Sequence, residues 1–155
     1  MRLHRLELEG FGPFRERQAV ELEIVRMLAL RHDHKAVAAE LNATIARQQH
    51  YAKAGDFEKF MAADNEFHGQ LYAAADKQDI WSLVRSRSGH IDRLRRLHLP
   101  SPGKAHDIVR HHKLIAKAIS AGEPDEAQKH LRTHLSGTLS ELAQIRARYP
   151  EYLSN

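Results

Sequence analysis

The sequence predicts an all-α fold: an antiparallel bundle of about six helices, preceded by a short non-helical N-terminal arm. Two observations carry this prediction. Apolar residues recur every three or four positions from residue 14 almost to the end of the chain. Glycine, proline and aspartate interrupt this pattern at intervals typical of helix lengths. There is no strand-rich region and no internal repeat, and 155 residues suffice for one domain with a hydrophobic core.

The first 13 residues, "MRLHRLELEGFGP", differ from the rest of the chain. They alternate briefly between apolar and polar residues and then reach a Gly-Phe-Gly-Pro turn, which predicts a short strand or arm. The first helix is predicted over residues 14–31, "FRERQAVELEIVRMLALR". Its apolar residues are spaced among charges as in an amphipathic helix; they are Ala19, Leu22, Val25, Met27 and Leu30.

The second and third helices have clear boundaries in the sequence. Asp33 is placed to cap a helix over residues 34–54, and Gly55 is placed to end it. Asp56 is placed to cap the third helix, residues 57–75, "FEKFMAADNEFHGQLYAAA".

Three more helices complete the predicted bundle. The polar turn "DKQD" leads into the fourth helix, residues 80–99, and "PSPG" ends it. The fifth helix covers residues 104–121 and stops at Gly122. Pro124 stands where a first helical residue is favoured, and the sixth helix follows over residues 125–149.

The composition excludes several classes of protein. The chain has no cysteine, so disulfides and thiolate metal sites are excluded. It has no apolar run of membrane-spanning length and no secretory signal, so we expect a cytoplasmic protein that does not enter a membrane. The net charge of +4 is too small to argue for nucleic-acid binding. We expect an arm over residues 1–13, one domain over residues 14–148 and a tail over residues 149–155.

The chain contains twelve histidines, and helical spacing selects three of them as inward-facing. In the third predicted helix, Asp64 and His68 lie one turn apart within the apolar stripe. In the fifth helix His112 continues the stripe of Ile108 and Ile115, whereas the helix geometry turns His111 about 100° away. In the sixth helix the stripe includes Ala127, Leu131 and His134, with His130 nearer its edge.

Asp64, His68, His112 and His134 are therefore candidate ligands of a divalent metal ion. An ion would neutralise the buried carboxylate and use the imidazole lone pairs. Three histidines and one oxygen suit zinc, nickel, manganese or iron, and they leave about two positions open on a six-coordinate ion. Two simpler interpretations stay open: each histidine is a hydrogen-bonded core residue, or Asp64 and His68 form only a local salt bridge.

Three segments resemble a known family, the FCD domain, which is the C-terminal, effector-binding domain of FadR-type GntR transcriptional regulators. They are "GDFEKFMAADNEFHGQLYAAA", "LRRLHLPSPGK" and "RHHKLIAKAISAGEPDEAQKHLRTHL". The family pattern has Asp-x-x-x-His in one helix, a histidine before an apolar run in the next, and a last histidine before leucine. These positions fall on Asp64 and His68, on His112, and on His134. The resemblance covers roughly residues 14–148 and implies a metal at these four residues.

The resemblance also implies a ligand-binding arginine. The family's Arg-x-x-apolar-Glu element matches Arg17 and Glu21, and in resembling domains that arginine meets the effector carboxylate beside the metal. A guanidinium fits a carboxylate through two hydrogen bonds. Arg17 could instead form an ion pair with Glu21 one turn away. Arg87, on the inward face of the fourth predicted helix, is a second candidate anion contact; the alternative is an arginine that extends to solvent.

The resemblance implies a metal-dependent sensor of a small organic acid, with zinc as the first candidate ion and a homodimer as the assembly. Full-length regulators of this type carry a winged helix-turn-helix domain of about 70 residues ahead of the sensor. The 13 residues ahead of the first helix cannot form one, so we expect this chain to meet DNA only through such a domain outside it. Two alternatives stay open: a metal-dependent enzyme acting on small hydroxy or keto acids, and a purely structural metal-binding bundle.

Overall fold

The structure, a computed structural model, describes residues 2–152, and Met1 and residues 153–155 lie outside it. Side chains are described over residues 15–151, except at positions 90, 138, 139, 142 and 146. The described chain forms seven α-helices and a final 3-10 turn, without any strand, so the all-α prediction is confirmed. The helices are α1 (Arg2–Leu30), α2 (His34–Ala54), α3 (Phe57–Ala74), α4 (Gln78–Ser86), α5 (Gly89–His98), α6 (Lys104–Ser120) and α7 (Pro124–Arg148).

The boundaries of α2 and α3 follow the sequence signals closely. Gly55 ends α2 with φ of 68°, a left-handed conformation that glycine adopts without a steric penalty. The Asp56 carboxylate caps α3 by accepting the Lys59 N–H. Asp33 stands before α2 as predicted, but its carboxylate binds the Arg31 guanidinium instead of capping the helix.

The fourth predicted helix is two helices, α4 and α5. The break falls at Arg87 and Ser88, where the Ser88 hydroxyl donates a hydrogen bond to the Val84 carbonyl. A serine that bonds the preceding turn, followed by Gly89, disfavours continuation of the helix. The periodicity of apolar residues alone did not reveal this break.

Helix α1 also begins earlier than predicted. Its backbone is helical from Arg2, through the segment for which the sequence predicts a non-helical arm. Leucine, arginine and glutamate dominate residues 2–9, and these strong helix formers outweigh the strand-like alternation.

The helices surround one hydrophobic core and are joined by short connections. Helix α1 packs on α3, α6 and α7; α2 packs on α3 and α6; and α5 packs on α7. None of the described helices combines the length and the apolar character needed to cross a membrane. Polar side chains are buried together in the middle of this bundle, where α1, α2, α3, α6 and α7 meet; they are Glu21, Gln48, Asp64, His68, His112 and His134.

Candidate metal centre

Three histidines from three helices converge at the centre of the bundle. The Nε2 atom of His134 lies 3.2 Å from that of His112 and 3.4 Å from that of His68. All three residues are buried, and their candidate ligand atoms lie within 4.8 Å of one another. The fold thus brings together the three histidines that their positions on the apolar stripes predicted to face inward.

Gln48 of α2 fixes the proton position on His112. The Asp64 carboxylate only accepts hydrogen bonds, so the Gln48 amide nitrogen faces Asp64 Oδ1, at 3.3 Å. The Gln48 amide oxygen then faces His112 Nδ1, at 2.8 Å, and accepts its proton. His112 Nε2 therefore presents a lone pair toward the other histidines.

Glu21 of α1 fixes His68 in the same way. Its carboxylate Oε2 lies 3.2 Å from His68 Nδ1, which must carry the proton and donate it. The other oxygen, Oε1, accepts hydrogen bonds from Arg17 Nε at 2.8 Å and from the Tyr72 hydroxyl at 3.2 Å. In the neutral imidazole, Nε2 of His68 is thus a second lone pair aimed at the cluster.

The hydrogen bonds leave more acceptors than donors at the cluster. His112 and His68 both direct lone pairs toward His134 Nε2, and a neutral His134 can supply at most one proton between them. At least one buried lone pair therefore lacks a donor from the other imidazoles. A divalent cation would satisfy all three nitrogens, so these residues fit a metal ion.

Asp64 lies at the edge of the cluster. Its Oδ1 is 3.7 Å from His112 Nε2, and its Oδ2 accepts a hydrogen bond from Arg95 Nη2 at 2.5 Å. The ion-pair partner of this buried carboxylate is therefore Arg95 from α5. Asp64 Oδ1 faces His112, and together with the three histidines it would complete a set of four metal ligands.

Burial and neighbouring charges set the protonation of these residues. Burial lowers the pKa of His112 to about 3, although the nearby Asp64 carboxylate acts in the opposite direction. Burial, and after it the neighbouring His112, lowers the pKa of His134 well below its ordinary value. Neutral imidazoles are the form that ligates metals. Burial alone would raise the pKa of Asp64, but Arg95 and the histidines outweigh it and lower that pKa, so the carboxylate stays ionised.

Packing holds the ligands in place. The Phe67 ring stacks on the His112 ring, with centroids 3.8 Å apart and planes within 9°. This contact restricts the rotation of the imidazole, because the interior leaves little space for another rotamer.

Arg17 and Arg87 both line a cavity of about 150 Å³ between α1, α4 and α5, whose other walls are mainly apolar. None of the three cluster histidines is among the residues that line this cavity. Arg17 is buried and ion-paired with Glu21, the alternative that the sequence left open, and its guanidinium lies 5.5 Å from the centre of the Trp81 ring. Arg87 is exposed at the break between α4 and α5.

A second cavity, of about 70 Å³, touches the histidine cluster directly. It lies between α5, α6 and α7, and His134, His111 and Arg95 form part of its wall. The sequence predicts that His111 faces away from the ligand stripe. In the structure its ring nevertheless lies near the cluster, with its centre 5.6 Å from that of His134. His130 is half-buried and lies within 3.4 Å of Glu126, on its own helix.

Sequence reasoning missed Gln48 and Arg95. Gln48 continues the buried stripe of Leu41 and Ile45 on α2. A polar residue at such a position could have been predicted to face the core and to bind another polar group there. Arg95 gave no such signal, because it is one of three arginines in "DRLRRLH" and its partner lies on another helix.

Comparison with known proteins places the chain in a family. Residues 14–137 match the FCD domain. A protein of Streptomyces ambofaciens, named "Uncharacterized HTH-type transcriptional regulator in unstable DNA locus", is 34% identical over 135 residues, which cover 87% of this chain and 56% of that protein. The "HTH-type transcriptional repressor RspR" of Escherichia coli is 22% identical over 138 residues, 89% of this chain and 60% of the repressor.

The chain thus spans between half and two thirds of the length of these relatives. The family match covers most of the chain: it includes all of α2 to α6 and more than half of each of α1 and α7. This chain belongs to the FCD domain family.

Proposed function

We propose that this chain is the metal-dependent, ligand-sensing domain of a transcriptional regulator and that it binds a small organic acid. The metal ligands are Asp64, His68, His112 and His134. The observation that carries the proposal is the convergence of three Nε2 atoms, two of them on imidazoles whose protons are fixed on Nδ1 by Gln48 and Glu21. Zinc is the first candidate ion, and nickel, manganese and iron suit the same ligands.

The residues around the ligands orient the site. Gln48 and Glu21 hold two imidazoles in one tautomer, and hydrogen bonds of this kind raise metal affinity in other proteins. A bound divalent ion would supply positive charge for an acid's carboxylate. The protein's own contribution is a buried setting in which that charge is poorly screened.

Arg17 and Arg87 are proposed contacts for the acid in the larger cavity. That cavity is lined by the two arginines and Glu16 among mainly aliphatic side chains, and a carboxylate with a short hydrocarbon chain would suit the arginines and the aliphatic walls. Arg17 is linked to the metal ligands, because it binds Glu21 and Glu21 binds His68. A ligand that moves Arg17 would therefore change the hydrogen bond by which Glu21 orients the metal ligand His68.

Within a complete regulator, binding of the acid would favour one of two arrangements of the DNA-reading domains. Such a shift requires that the acid bind the two arrangements with different affinity. We propose that the sensor forms a homodimer, meets DNA through a winged helix-turn-helix domain of the regulator, and acts in the cytoplasm. The names of the relatives, which are HTH-type transcriptional regulators, support this part of the proposal.

A sensor fits the site better than an enzyme does. Catalysis would need a general acid or base facing the metal. Glu66, on the same helix as Asp64 and His68, is exposed and ion-paired with Arg47, with 2.7 Å between the nearest atoms. It is therefore not available at the cluster.

Titration calorimetry of the zinc-loaded protein with a panel of small carboxylic acids tests the proposal. We expect saturable binding of at least one acid, and weaker or no binding to protein stripped of metal by a chelator. If the zinc-loaded protein binds no acid, the metal has only a structural role and the sensing proposal is wrong. Turnover of an acid in the same samples would favour the enzymatic alternative.

A further inference from the structure

Asp92 of α5 has one carboxylate oxygen that is used and one that is not. The residue is 7% exposed. Its Oδ2 accepts a hydrogen bond from Arg85 Nη2 at 2.7 Å, whereas its Oδ1 is buried and has no hydrogen-bond donor among the described residues. A buried acceptor without a donor costs free energy, and the great majority of buried polar atoms have a partner. Asp92 Oδ1 is therefore a position to which a nearby donor is attracted.

Arg95, one turn later on α5, carries such a donor. Its Nη1 lies 3.9 Å from Asp92 Oδ1, and a movement of about 1 Å would bring it to hydrogen-bond distance. Its Nη2 instead donates to Asp64 Oδ2 at 2.5 Å. The Arg95 guanidinium thus lies between two buried carboxylates and is hydrogen-bonded to only one of them.

A metal ion at the histidine cluster would change the balance between these two carboxylates. Asp64 is a proposed metal ligand, and its other oxygen, Oδ1, faces His112. With a divalent ion on Oδ1, the charge of Asp64 would be shared between the ion and Arg95, and the two cations would repel each other. Asp64 is completely buried, so solvent would screen this repulsion poorly. The attraction of Arg95 to Asp64 would weaken, and its attraction to Asp92 would not.

Asp92 is connected to the helices next to it. Arg85, which binds Asp92 Oδ2, lies on α4, and its Nη1 donates to Asn65 Oδ1 on α3 at 3.1 Å. Asp92 and Arg85 thus join α5 to α4 across the break between these two helices. A second guanidinium on Asp92 would share its charge with Arg85, so a change at Asp64 would reach both helices.

We propose that Asp92 is the alternative partner of Arg95 and receives its guanidinium when a divalent ion binds Asp64. The inference rests on the proposed metal binding and adds a conformational response to it. Without the ion, Arg95 ties α5 to α3 through Asp64. With the ion, Arg95 pairs with Asp92 inside α5, the tie to α3 is loosened, and a positive charge moves away from the metal centre. Asp92 thereby strengthens metal binding without touching the ion.

The zinc dissociation constant, measured by competition with a chelator, tests this role of Asp92. Asp92→Asn keeps the size of the side chain and removes its charge, and Arg95→Gln removes the guanidinium that is exchanged. We expect Asp92→Asn to weaken zinc binding about fivefold or more in the unchanged background, which is a usual coupling between contacting residues. In the Arg95→Gln background the same change should have less than about a twofold effect. Equal weakening in both backgrounds would mean that Asp92 acts only through its general negative charge, and the inference would be wrong.

Glu66→Gln is the matched control for the loss of a carboxylate. Glu66 lies two residues after Asp64 on α3, but it is exposed and pairs with Arg47. Its replacement should change the zinc dissociation constant by less than about twofold, because solvent screens exposed charges. A loss as large as that in Asp92→Asn would also contradict the inference.

Crystal structures of the unchanged chain with and without zinc test the exchange directly, and they decide it even if Arg95→Gln does not fold. We expect Arg95 Nη1 to lie about 3 Å from Asp92 Oδ1 when zinc is bound. If the distance stays near 3.9 Å and Nη2 remains on Asp64 in the zinc-loaded chain, the inference is wrong and the metal site stands. If the unchanged protein binds no zinc, both are wrong.

Discussion

Replacing His134 with alanine is expected to remove most of the stabilisation that zinc gives to this protein. Three imidazoles would become two, and the lost ligand is the one whose Nε2 approaches both others. A ligand present at 1,000 times its dissociation constant stabilises a folded protein by about 4 kcal/mol. We expect the zinc-dependent rise in Tm, measured by scanning calorimetry with and without zinc, to be nearly absent in His134→Ala.

His130→Ala is the matched control for this experiment. His130 lies one turn before His134 on α7, is half-buried, and lies beside Glu126 instead of the cluster. The zinc-dependent rise in Tm should therefore be retained. Each variant is compared with itself, with and without zinc. The loss of stability caused by the cavity that the deleted side chain leaves is present in both samples and therefore cancels. Equal losses in both variants would contradict the assignment of His134 as a ligand.

Replacing Glu21 with glutamine is expected to cost about 3–5 kcal/mol of folding free energy, because it leaves the buried Arg17 without its counter-ion. Three donors, from Arg17, His68 and Tyr72, meet on this carboxylate. An amide would turn an N–H group toward at least one of them. For a domain of this size the loss corresponds to a fall in Tm of roughly 10 °C, measurable by thermal or urea unfolding.

Glu23→Gln provides the control on the same helix. Glu23 is exposed and pairs with Arg26 three residues later, and exposed pairs of this kind contribute about 0–1 kcal/mol. A similar loss of stability in both variants would show that the network around Glu21 contributes no more than a surface ion pair.

Local signals in the sequence predicted most of the helices. Gly55 and Asp56 act through their own backbone conformation and hydrogen bonds, so the boundary between α2 and α3 is set by neighbours in the chain. The break between α4 and α5 escaped prediction because Arg87 and Ser88 interrupt the helix without disturbing the spacing of Val84 and Ile91.

The candidate ligands were predictable for a related reason. Asp64, His68, His112 and His134 each lie on an apolar stripe, and burial of the stripe brings them inward regardless of the details of packing. Arg95 and Gln48 depend on how the helices are rotated and spaced against one another. Periodicity along one helix contains no information on that arrangement, so the partners of the ligands emerged only from the structure.

Native mass spectrometry of the purified protein reports whether the histidine cluster holds a divalent metal ion. We expect one metal ion for each chain in the unchanged protein and in His130→Ala, and substoichiometric metal in His134→Ala. If the unchanged protein carries no divalent ion after incubation with zinc, or if the two variants contain equal amounts of metal, the histidine cluster is not a metal site.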